Sequence, residues 1–215
     1  MMLLRFYSPS ALDPLLPCLF GPLGKKSIPS TNAWRLVSKA IPIIVEHDDI
    51  KPYPIFTISR DVQRDMEGAG LRRASSLIRQ WEYNELEQLV LRCIAIFVHG
   101  IETADSLDRL VFTLAAAETL LLGDSNDPIQ ETVALRLGYL CADNARDRQQ
   151  VRSLLRTAYG QRSRYLHHGK EQRDMEVLRE LQLHVWTAIN HAIELSEHLK
   201  TKHDLFHVIE QCVLS

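Results

Sequence analysis

The residues best suited to chemistry lie in the segment 159–169, which reads Tyr-Gly-Gln-Arg-Ser-Arg-Tyr-Leu-His-His-Gly. Arg162 is followed by Ser163 and then by two adjacent histidines, His167 and His168. A guanidinium can hold a phosphate and stabilise negative charge on its oxygens. Histidine, with an ordinary pKa of about 6.5, can accept or donate a proton near neutral pH. The segment therefore predicts a site that binds phosphate and transfers protons.

Spacing alone does not single out this segment, because 18 arginines and nine histidines produce roughly two such pairs by chance. Two other pairs have a comparable spacing, Arg92 with His99 and Arg179 with His184. Arg162 and His167 differ from these in context, since Tyr159 leads into an Arg-Ser pair and a His-His-Gly sequence closes the segment. The context favours the pair at positions 162 and 167.

This context resembles the HEPN domain and, within that group, its ApeA-like branch. HEPN domains are helical bundles marked by an arginine, a polar residue and a histidine that lies a few positions further on. Arg162, Ser163 and His167 match with four intervening residues, and His168 also fits. Family members tend to have an acid in the first helix of this region and an arginine in the second, where this chain has Glu118 and Arg136.

The resemblance implies a metal-independent endoribonuclease of the kind found in toxin–antitoxin and phage-defence systems. Arg162 and His167 would be catalytic, in a cleft formed where two copies of the domain meet, so a homodimer is expected. Ser163, His168, Glu118 and Tyr159 would support them. RNA can be cut by activating its ribose 2′-hydroxyl, which DNA lacks. No metal or other cofactor is expected.

The direction of Arg162 is consistent with this interpretation. Arg162 lies seven residues after Leu155, and two helical turns bring it within roughly 20° of that apolar direction. A guanidinium that faces inward must be paired, and Glu118 is a reasonable partner. The alternative is a purely structural ion pair. Tyr159 continues the apolar stripe, which favours a place in the core over stacking on a base.

Positive charge is concentrated around this segment. Positions 146–173 contain eight basic and two acidic residues, a local excess of +6 in a chain of net charge −2. The residues that we expect to contact RNA are Arg148, Arg152, Arg156, Arg164 and Lys170. The first three recur every fourth residue, which makes one stripe suited to a phosphate backbone. An ordinary solvated helix face is the competing interpretation.

Other classes of site are disfavoured. The four cysteines (Cys18, Cys93, Cys141 and Cys212) are scattered, which argues against a zinc site and a disulfide framework. His184, His191 and His198 recur every seven residues, about 10 Å apart on a helix and too far to share one metal ion. No apolar run is long enough to span a membrane, and prolines interrupt the N-terminal leucines. We expect a cytoplasmic protein with no membrane association.

The elements that must position the site begin after a proline boundary. Eight of the nine prolines lie in the first 54 residues, so residues 1–58 are predicted to be extended or irregular, with a β-hairpin from 41–45 and 55–58 as one arrangement. Residues 59–215 form the predicted HEPN-like domain.

Within that domain, apolar residues recur at three- and four-residue intervals in five stretches, and a short last helix is expected over 205–213. Gly100 and Gly123 are predicted to end the first two helices. Asp127 is the predicted N-cap of the third, with Pro128 at its first position. Short connections favour antiparallel neighbours, so the predicted fold is an all-α, compact antiparallel helical bundle.

Two alternatives to a nuclease remain. The chain could be a non-catalytic HEPN module that binds RNA or a protein partner such as an antitoxin or another defence-system component. It could also be a helical oligomerisation or antitoxin-bound module in which Arg162 forms only a structural ion pair.

Overall fold

The structure is a computed structural model of the 215-residue chain, and it describes residues 2–7, 70–103, 105–123, 128–168 and 174–214. All regular secondary structure in these ranges is helical. The helices are α1 (Met2–Phe6), α2 (Leu71–Ile78), α3 (Glu85–Glu102), α4 (Ser106–Leu121), α5 (Ile129–Cys141), α6 (Ala145–His168), α7 (Met175–Leu195) and α8 (Lys202–Leu214). The predicted all-α class is confirmed.

The helices pack as a bundle around α7. Helix α3 packs mainly on α4, and α5 mainly on α6, while α7 contacts all four of them. Helix α8 closes the bundle against α5 and α3. The buried apolar side chains form one continuous core cluster that includes residues from all eight of these helices. This arrangement confirms the predicted helical bundle.

Side-chain caps fix where several helices begin. At the start of α3, the backbone N–H of Glu87 donates to Asn84 Oδ1 at 2.9 Å, and the N–H of Asn84 donates to Glu87 Oε2 at 3.0 Å. Asp105 accepts from the first turn of α4, and Asp174 does the same for α7. These caps satisfy backbone donors that a helix otherwise leaves without a partner.

Of the two glycines predicted to end helices, one lies inside its helix. Gly100 does not end α3, which continues to Glu102. A Cβ added at Gly100 would lie 2.8 Å from Cβ of Phe112, so this glycine permits the close approach of α3 and α4. Helix α4 ends at Leu121 with Leu122 as its C-cap, so Gly123 directly follows the end of the helix, as predicted. The close packing of α3 on α4, and not the end of a helix, therefore explains the glycine at position 100.

The start of α5 is also shifted. Pro128 is the N-cap and makes no side-chain cap, whereas the prediction had placed it at the first helical position behind Asp127. Its carbonyl accepts from Thr132 N at 3.0 Å, a bond that needs no N–H on the proline. Asp127 lies outside the described residues.

The N-terminal residues are helical where the structure describes them. Residues 2–6, predicted to be extended or irregular, form α1; the first proline is Pro9, so nothing interrupts a short helix before it. Residues 8–69 lie outside the described residues, and they include the predicted β-hairpin at 41–45 and 55–58.

Helix α1 is held by an aromatic cluster, which we define as Phe6, Tyr7, Phe97 and Trp186. Phe6 is fully buried, and its ring centroid lies 5.0, 5.7 and 6.0 Å from those of Tyr7, Phe97 and Trp186. Trp186 Nε1 donates to the carbonyl of Phe6 at 2.8 Å. The cluster therefore joins α1 to α3 and α7 in the core.

A polar contact beside the aromatic cluster brings Tyr7 and Gly70 together. The Tyr7 hydroxyl donates to Asn190 Oδ1 at 2.7 Å, and a Cβ added at Gly70 would lie 3.3 Å from both of these atoms. Gly70 has φ +98°, a conformation that glycine adopts without a steric cost. Tyr7 and Gly70, the described residues on either side of positions 8–69, therefore lie next to each other.

No helix in the described ranges has both the length and the apolar content to cross a lipid bilayer. Cys93 and Cys141 are free thiols, and Cys18 lies outside the described residues. Burial raises the pKa of Cys93 and of Cys141 to about 12 in each case, so both thiols stay protonated at neutral pH.

Candidate functional site

Helix α6 carries the 159–169 segment as far as His168. It continues without a break past Gly160, where an added Cβ would meet nothing within 4 Å. Arg162 thereby keeps the direction of the fully buried Leu155 and faces α4. The predicted inward direction of Arg162 is confirmed.

Three residues form what we call the Arg162 cluster, Glu118 of α4 with Tyr159 and Arg162 of α6. Arg162 Nη1 lies 2.6 Å from Glu118 Oε1, and the Tyr159 hydroxyl donates to the same oxygen at 3.0 Å. The predicted pairing of Arg162 with Glu118 is confirmed. The two charged side chains are 31% and 21% exposed, so solvent reaches the ion pair.

The electrostatics of the cluster keep Tyr159 as a hydrogen-bond donor. Burial raises the pKa of Tyr159, and the negative charge of Glu118 raises it further, although Arg162 acts in the opposite direction. The phenol is therefore neutral at physiological pH. Its ring packs on the core, as expected from the apolar stripe. Glu118 accepts from one nitrogen of the Arg162 guanidinium, which has five N–H donors in all. The Tyr159 phenol donates to the same carboxylate oxygen.

Helix α6 makes a second polar contact with α4 one turn further on. The Tyr165 hydroxyl donates to Asp108 Oδ1 at 3.5 Å. Between the two contacts, Ser163 and Arg164 are exposed. Each is turned away from Arg162, because consecutive helical residues are about 100° apart. Sequence reasoning missed the pairing of Tyr165 with Asp108, which only the antiparallel register of α4 and α6 brings into reach.

His167 and His168 are the last two residues of α6, and their side chains lie outside the described residues. Along the helix, His167 is about 7.5 Å beyond Arg162 and about 140° round from it. The helical backbone thus places positions 162 and 167 about one and a half turns apart near the end of α6.

The predicted basic stripe makes contacts within the bundle. Arg148 donates from Nε to the carbonyl of Ala142 at 3.0 Å, and its guanidinium lies over the ring of Tyr139 at 4.1 Å. Arg156 forms an ion pair with Glu131 at 3.2 Å. The stripe therefore borders α5. To bind Arg148 and Arg156, a phosphate backbone would have to compete with their contacts to α5 and to the turn that follows it.

The remaining predicted RNA contacts are distributed unevenly. Arg152 is half-buried, and its Nε has no hydrogen-bond partner among the described residues. Arg164 is exposed, and Lys170 lies outside the described residues. Arg164 is consequently the member of the predicted set that a strand can approach most freely in the described part of the chain.

Arg136, the arginine placed by resemblance in the second helix, faces a different part of the bundle from Arg162. Its Nη1 donates to the carbonyl of Leu121 at 2.7 Å, and its guanidinium lies 3.7 Å from the ring centroid of Phe206. The structure does not bring Arg136 into the Arg162 cluster. It brings Arg136 together with Lys202 and Phe206, two residues that sequence reasoning did not single out.

His184 and His191 of α7 both contact the end of α5. His191 Nδ1 lies 2.6 Å from the carbonyl of Leu140, and the carbonyl of His184 accepts from Cys141 Sγ at 3.1 Å. Burial lowers the pKa of His184, opposed by the charge of Glu180. Within the described ranges, no three His, Cys, Asp or Glu side chains are grouped closely enough to hold a metal ion.

Comparison of the chain with protein-family models, with curated proteins and with solved structures gave no match.

Proposed function

We propose that the chain is a metal-independent endoribonuclease of the HEPN type. The observation that carries the proposal is the Arg162 cluster. A guanidinium in the expected motif is paired with a carboxylate that also accepts from a phenol. It is partly open to solvent and lies on the same helix as His167. The resemblance of the 159–169 segment to the HEPN motif supplies the reaction class.

In the proposed reaction, His167 removes the proton from a ribose 2′-hydroxyl, and the resulting oxygen attacks the adjacent phosphorus. The bond from phosphorus to the 5′-oxygen breaks, and His168 returns a proton to that oxygen. The products are a 2′,3′-cyclic phosphate and a 5′-hydroxyl. Arg162 stabilises the charge that develops on the phosphate oxygens, and Glu118 and Tyr159 position Arg162.

The proposal includes a homodimer whose cleft would bring two copies of Arg162 and His167 together. Arg164 and Lys170 would contact the strand, and Ser163 would donate a hydrogen bond to the phosphate or orient a neighbouring group. A toxin or phage-defence role in the cytoplasm, with an antitoxin or defence protein as partner, belongs to the same proposal.

RNA cleavage in the presence of EDTA tests this function. The purified chain should cut RNA, and Arg162→Ala should slow cutting by about a hundredfold or more, the usual loss when a donor to a developing oxyanion is removed. Arg92→Ala is the matched control, since Arg92 is an exposed arginine of a pair with comparable spacing. Equal cutting by the wild type and Arg162→Ala, with both chains folded, would refute the site.

A non-catalytic module that binds RNA or a protein partner is the second candidate, and the pairing of Arg162 with Glu118 favours it. Arg148 and Arg156 already interact with α5 and the turn after it, and Arg162 is already paired with Glu118, so the motif can hold the bundle together without chemistry. This candidate predicts RNA binding that weakens steeply with added salt, with no cleavage products over any incubation time.

A further inference from the structure

A cavity with several charged lining residues lies away from the Arg162 cluster, where the start of α8 meets α5 and the end of α4. Its volume is about 400 Å³, and its lining includes Arg136, Lys202, His203, Phe206, His207 and Glu210. Ligand sites in proteins commonly enclose about 300–1,000 Å³. The cavity therefore has the size of a small-molecule site.

Two cations of this cavity are fixed by the last turn of α4. Lys202 Nζ donates to the carbonyl of Thr119 at 2.8 Å, and Arg136 Nη1 donates to that of Leu121 at 2.7 Å. Both also lie against the ring of Phe206, at 3.7 Å for Arg136 and 5.6 Å for Lys202. The Arg136 side chain is only 13% exposed. Two positive groups are thus held side by side before any ligand arrives.

The described residues that line the cavity contribute little counter-charge. Among the described residues that line it, Glu210 is the one carboxylate; it lies 3.8 Å from Arg136 Nη2 and is 61% exposed. Burial lowers the pKa of Lys202, and Arg136 and Arg92 lower it further, while Cys93 and Glu85 act in the opposite direction. An anion in the cavity would relieve this electrostatic cost.

Two histidines add polar groups to the cavity, whereas the N-terminus of α8 does not, because the N–H groups of Lys200, Thr201 and Lys202 already donate to Asp204 and Glu85. His203 and His207 are four residues apart, which places them on one face of α8 at the rim of the cavity. Both histidines are exposed and are not among the residues that hold α4.

We propose that this cavity binds a small molecule that carries at least two phosphoryl groups. Arg136 and Lys202 are separate, fixed donors, and two linked phosphoryl groups can engage both at once. Charge-assisted hydrogen bonds from arginine and lysine are the usual means by which proteins hold phosphate. The site is distinct from the Arg162 cluster, and the proposal does not depend on nuclease activity.

Titration calorimetry of the full chain with inorganic tripolyphosphate tests the proposal. The wild type should bind, and Lys202→Gln should weaken binding about tenfold, as expected for the loss of one charge-assisted contact. Because Lys202 also caps α4, the double variant His203→Ala/His207→Ala provides a second test at residues that do not hold the bundle. It should weaken binding by a factor of about three.

The matched control is Lys200→Gln, which removes an exposed positive charge two residues before Lys202 and outside the cavity; its affinity should equal that of the wild type. No binding by the wild type would overturn the proposal, and so would an equal loss in Lys200→Gln. Binding of single-stranded RNA that tripolyphosphate does not displace, but that Lys202→Gln abolishes, would also overturn it in favour of a macromolecular ligand.

Discussion

The aromatic cluster and the Arg162 cluster both join distant parts of the chain, but they do so by different forces. In the aromatic cluster, Phe6 meets Trp186 across 180 residues, with a ring fully removed from water. In the Arg162 cluster, Glu118 meets Arg162 across 44 residues, and both side chains remain partly in water. The first contact is mainly apolar burial and the second is mainly charge.

Because of this difference, the aromatic cluster mainly stabilises the fold, whereas the Arg162 cluster mainly keeps a charged group accessible. Burying a large aromatic side chain contributes several kcal/mol, whereas a partly exposed ion pair contributes about 0–1 kcal/mol. The aromatic cluster offers no polar group to a ligand, since its Tyr7 hydroxyl and Trp186 N–H are used within the bundle. The Arg162 cluster contributes little to stability and keeps a cation within reach of solvent.

The largest expected effect comes from the aromatic cluster. Phe6→Ala should lower the free energy of unfolding by about 3–5 kcal/mol, because it removes a fully buried ring and leaves a cavity. Chemical denaturation of the purified chain measures this. Trp81→Ala is the control, since Trp81 is 99% exposed, and it should change stability by no more than about 0.5 kcal/mol. Similar results for the two variants would show that α1 is not docked in the core.

The next largest effect on stability is expected at Gly100 in α3 and Gly160 in α6, two helices that carry residues of these clusters. Gly100→Ala in α3 should destabilise by about 1–3 kcal/mol, because its Cβ would be forced against Phe112. Gly160→Ala in α6 has open space and should stabilise by up to about 1 kcal/mol through higher helix propensity. Thermal unfolding distinguishes the two, and the same sign for both would contradict the described packing.

A double-mutant cycle on Glu118 and Arg162 measures how much the ion pair stabilises the fold. Glu118→Gln and Arg162→Met, alone and together, should give a coupling free energy of about 1 kcal/mol or less, because the pair is partly exposed. A coupling of about 3 kcal/mol or more would indicate a structural ion pair and would favour the oligomerisation or antitoxin-bound interpretation over a nuclease.

The smallest expected effect is a pH dependence at His184, two residues before Trp186. Burial holds the pKa of His184 below its ordinary 6.5, so the unfolded chain binds this proton more readily than the folded chain. The folded state therefore loses stability as pH falls below about 6.5. His184→Gln should flatten this part of the stability profile, and His198→Gln, an exposed control, should not. Identical profiles of stability against pH for the wild type and both variants would contradict the lowered pKa of His184.

Local patterns predicted the bundle and one long-range contact. The spacing of apolar residues is enough to predict helices, and the direction of Arg162 relative to Leu155 is enough to predict that its guanidinium faces inward and is paired. Both follow from helical geometry within a single element, whereas Glu118 is identified as the partner through the family resemblance. The reason for Gly100, by contrast, depends on Phe112 of a neighbouring helix, which no local pattern reveals.

Local patterns could not predict the aromatic cluster or the contacts of the basic stripe, and the reason is the same for both. Phe6 precedes a proline-rich stretch, and its partner Trp186 lies at the other end of the chain, so no periodicity connects them. Arg148, Arg152 and Arg156 have the spacing of a solvated face, but Tyr139 and Glu131 on α5 decide what two of these arginines contact. Predicting those contacts requires the register of α5 against α6.

The most direct test of the central claim is RNA cleavage by His167→Ala and His99→Ala in EDTA, with analysis of the product ends. We predict that His99→Ala cuts like the wild type and leaves 2′,3′-cyclic phosphate and 5′-hydroxyl ends. His167→Ala should remain folded and leave the RNA intact. The wild type should likewise fail to cut the same strand when its sugars are 2′-deoxy. Undiminished cutting by His167→Ala, or products with 3′-hydroxyl ends, would contradict the proposed reaction.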